Sequence, residues 1–500
     1  MPNPEKQDKL DTTTGTSHIM DEAVAANHSE GDEGDQSAVD SEKADIKPAL
    51  EADPNIVDWD SPDDPSNPLN FSTSFKVTNV GIISALTFVT PLASSMFAPG
   101  VPMLLEEFNS SNAVLADFVV SVYVLGFAIG PLLLAPLSEL YGRLIIYHIC
   151  NVGFIVFSVA CAVSPNLGAL VVLRFFQGCF GSAPVNNGGG TIADIVPQGK
   201  RGGAIAVYTL GPLLGPVIGP VAGGYLAAGR GWRWVFWVLA IIGGGFSLLS
   251  LAFLRETYPP VLLRRKTQRL IKETGNTNLK PKGASRLKPK QLFYRAILRP
   301  ARALIFSPIV FTTSIYTGIV YGYQYIMFST FTFIFEEQYG FPTNSVGLTF
   351  LGFGIGALLG LFVVGFASDR LLKAKTKTGP DGPSSMMTPE VRLWPLVIAA
   401  FFIPVGLFLY GWSAQYKYHW IVPEIGTALV GIGSIAVIMC IISYLVDAFT
   451  IYAASALAVN TVVRSILGAL LPLAGQSFLL GFIAVACIPK WRKSFDVSKW

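Results

Sequence analysis

The fold is decided by one apolar stretch, Gly211-Pro212-Leu213-Leu214-Gly215-Pro216-Val217-Ile218-Gly219-Pro220-Val221-Ala222-Gly223-Gly224. Four of its glycines recur at every fourth residue, so on a helix they share one slowly drifting face that carries no side chains. A second helix can approach such a face closely. The interspersed prolines remove backbone donors and predict a bend, which neighbouring helices can repair inside a membrane. We expect this face to lie between two rocking bundles; the alternative is a packing seam with no further role.

The composition indicates a polytopic helical membrane protein. The chain has 500 residues, of which 51% are hydrophobic and 14% charged, and its mean hydropathy is +0.50. In soluble domains about a quarter of the residues are charged. The five cysteines and four histidines show no metal or redox spacing. We therefore expect no metal and no cofactor, and an integral membrane enzyme, which would need a mid-membrane cluster of such residues, is disfavoured.

Apolar segments of about membrane-spanning length follow one another from residue 76 onward. They predict an all-α protein with twelve spans, six on each side of a polar gap at 255–305. The spans are placed at 76–98, 113–136, 144–164, 168–190, 204–228, 233–254, 308–335, 346–367, 393–412, 420–445, 450–474 and 476–489.

These spans divide the chain into five regions. Residues 1–70 hold 4 Lys/Arg and 18 Asp/Glu, a composition typical of a disordered tail. The expected regions are a disordered acidic tail at 1–72, an N-terminal six-helix bundle at 73–254, a basic linker at 255–305, a C-terminal bundle at 306–489 with a short or incomplete last helix, and a tail at 490–500.

The distribution of lysine and arginine between the loops predicts the orientation of the chain in the membrane. The gap at 255–302 holds 14 Lys/Arg against Glu256 and Glu273, so by the positive-inside rule it is cytoplasmic. The breaks at 99–112 and 336–345 carry glutamates and no Lys or Arg. Both termini are then cytoplasmic. The plasma membrane is the expected location, with the vacuolar membrane as the alternative.

An internal repeat supports the division into two halves. The break after the second span reads Ser138-Glu139-Leu140-Tyr141-Gly142-Arg143, and the break after the eighth ends Ala367-Ser368-Asp369-Arg370. Each places Ser, an acid and Arg at the inner end of the second helix of a half. Two six-helix halves related by an axis normal to the membrane suit a transporter with a central site.

With these residues in view, the chain resembles the major facilitator superfamily, and within it the fungal twelve-span drug:proton antiporters. The resemblance covers about residues 58–489 and rests on 138–143 and its echo, on Leu173-Arg174-Phe175-Phe176-Gln177-Gly178 and on the helix 5 run 211–224. It implies two six-helix bundles with pseudo-two-fold symmetry around a central cavity. The antiporter motif of helix 5 would comprise Gly211, Pro212, Gly215, Pro216, Gly219, Pro220, Gly223 and Gly224.

The sequence departs from that family in two places. Glu139 stands where the loop signature usually has Asp, and Leu140 stands where it has Arg. The family also has an outer loop between its last two helices, whereas here Pro472-Leu473-Ala474-Gly475 runs directly into the last apolar stretch. That stretch of about 14 residues, roughly 21 Å as a helix, falls short of the ~30 Å core.

Charged residues at membrane depth or at helix ends are the coupling candidates. A guanidinium inside a bilayer is costly unless it is paired, and the resemblance places Arg174 near the coupling site; the alternative is an arginine satisfied by backbone carbonyls. The other charged residues are expected to form ion pairs that hold the inward-closed state. The alternative is that they are ordinary solvated charges at the membrane interface. The set is Arg174, Glu139, Arg143, Asp194, Asp369 and Arg370.

Polar-tipped aromatics in the seventh span predict a cavity for large, partly apolar cations. The candidates are Tyr321, Tyr323, Gln324 and Tyr325, faced by Tyr123, Gln177, Asn186 and Asn187. Interhelical hydrogen bonding is the alternative for each. The proton-carrying residue stays open: Asp117 and Glu424 lie toward outer ends, and Asp194 and Asp447 toward inner ends.

The function that these features predict is proton-coupled efflux of small organic molecules, namely drugs, toxins or polyamines, by a monomer in a lipid bilayer that binds no nucleic acid. No GxxxxGK[ST] loop occurs in the sequence, which disfavours an ATP-driven pump. A proton-coupled nutrient importer on the same fold is the first alternative, and a non-transporting membrane sensor is the second.

Overall fold

The computed structural model describes residues 55–110, 113–197, 201–282, 304–376, 393–449 and 453–474, with a few positions between 291 and 302. The predicted tail up to residue 54, the predicted twelfth span and the tail at 490–500 lie outside the described residues. Within the described part of the chain, ten helices are long and apolar enough to cross a membrane.

Eleven long helices of the described residues coincide with the first eleven predicted spans; the helix Pro308–Phe333 is the one that is not among the ten apolar helices counted above. In the first half they are α1 (Thr73–Ser95), α3 (Ala113–Tyr141), α4 (Arg143–Ala162), α5 (Leu167–Ile195), α6 (Arg201–Arg230) and α7 (Arg233–Phe253), with the short α2 (Val101–Glu107) after α1. The linker holds α8 (Pro259–Thr274). The second half contains α9 (Pro308–Phe333), the short α10 (Thr343–Val346), α11 (Phe350–Thr376), α12 (Trp394–Gln415), α13 (Ile421–Phe449) and α14 (Ala453–Leu470).

Capping residues begin several of these helices where the sequence turns apolar. The Ser72 hydroxyl accepts from the backbone N–H of Phe75 at the start of α1, at 3.4 Å. The Asn166 side chain accepts from the N–H of Ala169 at the start of α5, at 2.8 Å. Each cap satisfies one of the free donors of a first helical turn.

The second half repeats the helix pairing of the first. In the first half α1 packs on α6, α3 on α5, and α4 on both α5 and α7. In the second half α9 packs on α14, α11 on α13, and α12 on α13. First-with-fifth, second-with-fourth and third-with-fourth contacts thus occur in both, as the repeat in the sequence predicts. Between the halves, α3 packs along α14, and α6 packs against α10 and α11.

A small ordered unit corrects the predicted extent of the disordered tail. Strand β1 (Ile56–Val57) pairs in parallel with β2 (Lys280–Pro281) of the linker. The backbone N–H of Lys280 donates to the Asn55 carbonyl at 2.7 Å. The prediction of disorder is therefore wrong for residues 55–72, because part of this acidic segment packs on the basic linker. We call the side of the molecule that carries this unit the linker side, and the opposite side the far side.

Candidate functional site

The four regularly spaced glycines of α6 face α1. A Cβ atom on Gly215 would lie 2.8 Å from the backbone nitrogen of Leu92, and one on Gly211 would lie 2.9 Å from that of Phe88. The close helix contact that the spacing predicts is therefore present. It joins two helices of the same half, so the expectation that this face lies between the halves is wrong. Gly224, off the regular spacing, is the glycine of the run that approaches the second half, through the carbonyl of Thr343.

The halves meet toward the far side through small residues. The site of a Cβ on Gly347 is filled by the carbonyl of Pro220, and that on Gly354 is filled by the Val217 side chain. Both glycines belong to the second half, and both partners belong to α6. Close backbone approach of this kind needs residues without side chains. The segment 217–224 therefore contributes to closing the far side, while the glycine face keeps α6 fixed to α1.

Arg174 is fully buried and bound by backbone carbonyls. Its Nη1 donates to the carbonyl of Ala93 at 2.9 Å, its Nη2 to that of Ser94 at 3.4 Å, and its Nε to that of Val119 at 3.2 Å. Ala93 and Ser94 lie in the last turn of α1, where carbonyls lack intrahelical donors and a cation is favoured. These contacts agree with the alternative interpretation, in which backbone carbonyls satisfy the arginine. Through them Arg174 connects α5 to α1 and α3.

A charged cluster lies at the linker-side ends of α3, α4 and α5. The Nε of Arg143 donates to Asp194 Oδ2 at 3.2 Å, and its Nη1 donates to the Ser138 hydroxyl at 3.1 Å. The guanidinium lies 5.1 Å from the ring centre of Tyr258, and burial raises the pKa of that phenol. Arg143, Asp194 and Ser138 belong to one half, so their contacts cannot by themselves hold the two halves together.

Glu256 completes this cluster and was missed as a site residue. Its carboxylate accepts from the backbone N–H groups of Arg143 at 3.0 Å, Leu144 at 3.3 Å and Tyr258 at 3.0 Å. It thereby caps the N-terminus of α4, where negative charge is favoured. Gly142, with φ of 105°, leaves the space that the carboxylate occupies. The signal in the sequence was an acidic residue just after the sixth span, within the predicted basic gap.

Glu139 forms no ion pair with the described residues of this cluster, although its charge acts on Arg143 and Tyr258. Its side chain is exposed, whereas Ser138, one residue earlier, is buried. The predicted ion-pair role of Glu139 is therefore not seen in this structure. Asp369 and Arg370 lie in α11, but their side chains fall outside the described residues.

The predicted cavity residues separate into two groups. Tyr123, Gln177 and Asn187 are at most 1% exposed and do not reach an open surface here. Tyr123 donates to the Thr90 carbonyl at 3.0 Å, which is the interhelical bonding of the alternative interpretation. Gln324 and Tyr325 are also buried. The partly exposed members are Asn186, Tyr321 and Tyr323.

Two tyrosines of α9, Tyr321 and Tyr325, lie at the contact between the halves. The Tyr321 and Tyr325 rings are 5.0 Å apart, and the Tyr325 hydroxyl donates to Ser94 Oγ of α1 at 3.2 Å. Further toward the far side, the Thr332 hydroxyl donates to the carbonyl of Ala98 at 3.3 Å. The seventh span therefore faces the first half, as the prediction of a central site requires.

A buried carboxyl group, that of Asp117, and a half-buried one, that of Glu424, lie at the far-side ends of helices. Asp117 of α3 is 5% exposed and lies beside the Ser329 hydroxyl of α9, in the other half. Glu424 of α13 accepts from the backbone N–H of Gly352, and its Oε1 has no hydrogen-bond partner among the described residues. Of the two, Asp117 lies directly between the halves.

The sequence matches known transporter families over most of its length. The sequence profile described as Major Facilitator Superfamily matches residues 83–472. The chain is 70% identical to the MFS-type transporter tndD of Aspergillus flavipes over 465 residues, which cover 89% of this chain and 86% of the relative. It is 50% identical to the efflux pump radE of Floropilus chiversii over 470 residues, covering 91% and 86%.

Solved structures share the fold at low sequence identity. A bacterial homologue of the human lysosomal transporter Spinster, in an inward-facing conformation, superposes with a TM-score of 0.60 at 17% identity, covering 85% of this chain and 86% of the other. The E. coli xylose transporter XylE, in a partially occluded inward-open conformation, gives 0.58 at 17% identity, covering 80% and 92%. The chain therefore belongs to the major facilitator superfamily and is a multi-pass membrane transporter, not an enzyme.

Proposed function

We propose that the chain exports small organic molecules, such as drugs, toxins or polyamines, in exchange for protons. The observation that carries the proposal is the far-side contact between the halves, where the Pro220 carbonyl and the Val217 side chain of α6 meet Gly347 and Gly354. A contact made by small residues can separate and re-form without side chains interlocking. Alternating access requires one such reversible closure on each side of the site.

The relatives and helix 5 support export as the direction of transport. One relative at 50% identity is named an efflux pump, and the proline and glycine run of α6 resembles the antiporter signature. The contact of Gly215 with α1 keeps α6 in one half as a rigid wall, so that the closing segment 217–224 moves with that half. This arrangement limits leakage while the halves rock.

Proton coupling is assigned to Asp117. A neutral carboxyl group can be buried at the contact between the halves at little cost. Burying the same group in its ionised form is strongly unfavourable. Loss of its proton therefore favours separation of α3 from α9 on the far side, and proton binding favours closure. If the linker side is cytoplasmic, as the charge distribution predicts, protons enter from outside and drive the return step.

Efflux from cells expressing the full chain tests the proposal. Cells are loaded with each of a panel of drugs and polyamines, and efflux is followed with and without a protonophore. We expect faster efflux than in cells with an empty vector, and loss of that difference when the protonophore is added. Accumulation of the compound together with protons would indicate the importer instead, and efflux insensitive to the protonophore would exclude proton coupling.

A further inference from the structure

Arg464 carries a buried guanidinium nitrogen for which the described residues provide no hydrogen-bond acceptor. Arg464 is near the middle of α14, and its guanidinium lies 4.8 Å from the ring centre of Tyr321 on α9. One turn further along α14, the site of a Cβ on Gly468 lies 2.7 Å from the Tyr321 ring and 3.6 Å from Val124 of α3. Arg464 is therefore placed where α14 and α9 of one half meet α3 of the other.

The described residues leave the Nε of this guanidinium without a hydrogen bond. Its Nε is buried and has no acceptor, and no carboxylate in the described part of the chain forms an ion pair with it. Arg174, by contrast, donates to three backbone carbonyls and to Gln177. A guanidinium at bilayer depth is costly unless an acceptor or an anion compensates its charge. The unpaired Nε therefore indicates a ligand that supplies the negative charge.

The surrounding side chains favour an aromatic ligand. Tyr321, whose ring lies beside the guanidinium, is partly exposed. Gln324 is buried with its Oε1 unpaired among the described residues. Asp117 lies beside Ser329, about two helical turns, or ~12 Å, along α9 from Tyr321, so it does not neutralise Arg464. The region combines positive charge with aromatic surface.

We propose that Arg464 and Tyr321 form a binding site for aromatic substrates that carry a carboxylate or a phenolate. The guanidinium binds the anionic oxygen through its planar fork, and the tyrosine ring stacks on the aromatic body. The inference rests on the proposed transport function and narrows its substrate class. It places aromatic acids among the substrates and polyamines outside them, because a polycation would meet an uncompensated arginine.

Two xanthene dyes of similar shape and opposite charge test this site. Purified full chain in lipid nanodiscs is titrated with fluorescein, an anion at pH 8, and with rhodamine 6G, a cation, and fluorescence anisotropy gives each Kd. We expect fluorescein to bind at least tenfold more tightly than rhodamine 6G. Arg464→Gln should weaken fluorescein binding at least tenfold and leave rhodamine 6G unchanged, and Arg464→Lys should fall between, since it keeps charge but loses the fork.

The matched control is Arg265→Gln, because Arg265 is exposed on α8 of the linker. It should change neither Kd, and thermal unfolding of each variant shows whether the fold is kept. Tighter binding of the cation, no binding of either dye, or fluorescein binding unaffected in Arg464→Gln would overturn the inference.

Proteoliposomes separate this inference from the proposed function. Arg464-dependent fluorescein binding without movement under a pH gradient would overturn proton-driven export and leave the binding site standing. Gradient-driven movement of rhodamine 6G, with fluorescein binding independent of Arg464, would leave export standing and overturn the binding site.

Discussion

Arg174 shows how one buried side chain can hold several helices at once. Its nitrogens reach carbonyls on α1 and α3, and its guanidinium lies 4.9 Å from the Tyr123 ring centre. The sequence alone placed this residue in the membrane, because a charged residue interrupts an apolar span. It could not reveal the partners, because the acceptors are backbone atoms 55 to 81 positions away in the chain.

We predict that Arg174→Lys destabilises the protein. One ammonium group cannot span acceptors on two other helices, so at least one buried carbonyl loses its donor, at a cost of about 1–3 kcal/mol. Thermal unfolding in detergent should show a lower midpoint, and efflux should fall. Arg265→Lys on the exposed face of α8 is the control. An unchanged unfolding midpoint together with wild-type efflux would show that Arg174 does not stabilise the packing of α5 on α1 and α3.

Glu256→Gln should loosen the linker-side end of α4. The neutral amide retains one acceptor oxygen where the carboxylate caps several backbone N–H groups, so a capping loss of about 1 kcal/mol is expected. Hydrogen exchange of residues 142–147 should accelerate by about fivefold. Glu139→Gln is the matched control, since Glu139 is exposed. Equal exchange in both variants would show that Glu256 is not the cap.

At the scale of elements, α6 combines two contacts that the sequence did not separate. The four-residue glycine spacing predicted a close helix partner and is confirmed by the approach of Gly211 and Gly215 to α1. The spacing could not identify which helix is the partner, since any helix that presents its backbone or small side chains can pack on such a face. The contact with the other half instead uses Val217 and Pro220, on a different side of the same helix.

Replacing Gly215 with Leu should abolish efflux while the protein remains in the membrane. A Cβ at this position already meets the backbone of α1 at 2.8 Å, so a larger side chain must push α6 away and displace the segment 217–224. Efflux should drop below about a tenth of the wild-type rate, a loss of about 1.4 kcal/mol or more. Gly229→Leu, on the same helix but in open space, should transport normally. Normal efflux by Gly215→Leu would show that efflux does not require the close packing of α6 on α1.

The unit of β1, β2 and α8 is held by acidic residues before the first span and basic residues of the linker. Asp64, 4% exposed, accepts from the backbone N–H of Ser66 at 2.8 Å and of Asp60 at 3.0 Å. These bonds, together with the hydrogen bond from Lys266, lower the pKa of Asp64 from 3.8 to about 2. Its ionised form therefore stabilises the unit above about pH 4, and this contribution is lost as the pH falls toward 2.

Pepsin cleavage measures that loss directly. Between pH 4 and pH 2, cleavage within residues 55–72 should increase as Asp64 takes up its proton. Asp64→Ala should be cleaved rapidly already at pH 4, by about fivefold for the loss of roughly 1 kcal/mol of hydrogen bonding. Asp63→Ala, at the exposed neighbouring position, should behave as the wild type. Equal cleavage of both variants at pH 4 would show that Asp64 does not hold the unit.

At the scale of the whole molecule, the sequence predicted the class of fold and the repeat because both are written in local patterns. Span length, charge asymmetry and the echo of 138–143 at 365–370 need no knowledge of tertiary contacts. The order of residues 55–72 was missed because acidic composition alone resembles disorder, and its partner, β2, lies more than 220 positions away. The lining of the central site was only partly foreseen, since burial of Tyr123 and Gln177 depends on packing.

In the proposed transport cycle, two rigid halves open and close the far side as Asp117 loses and gains its proton. Spin labels at Val114→Cys of α3 and Tyr418→Cys, before α13, both exposed positions, report the far-side distance by double electron–electron resonance once the five native cysteines are replaced. We predict one short distance at pH 5.5, a second longer distance at pH 8.5, and loss of this pH response in Asp117→Asn. A single distance that is the same at both pH values would contradict the account.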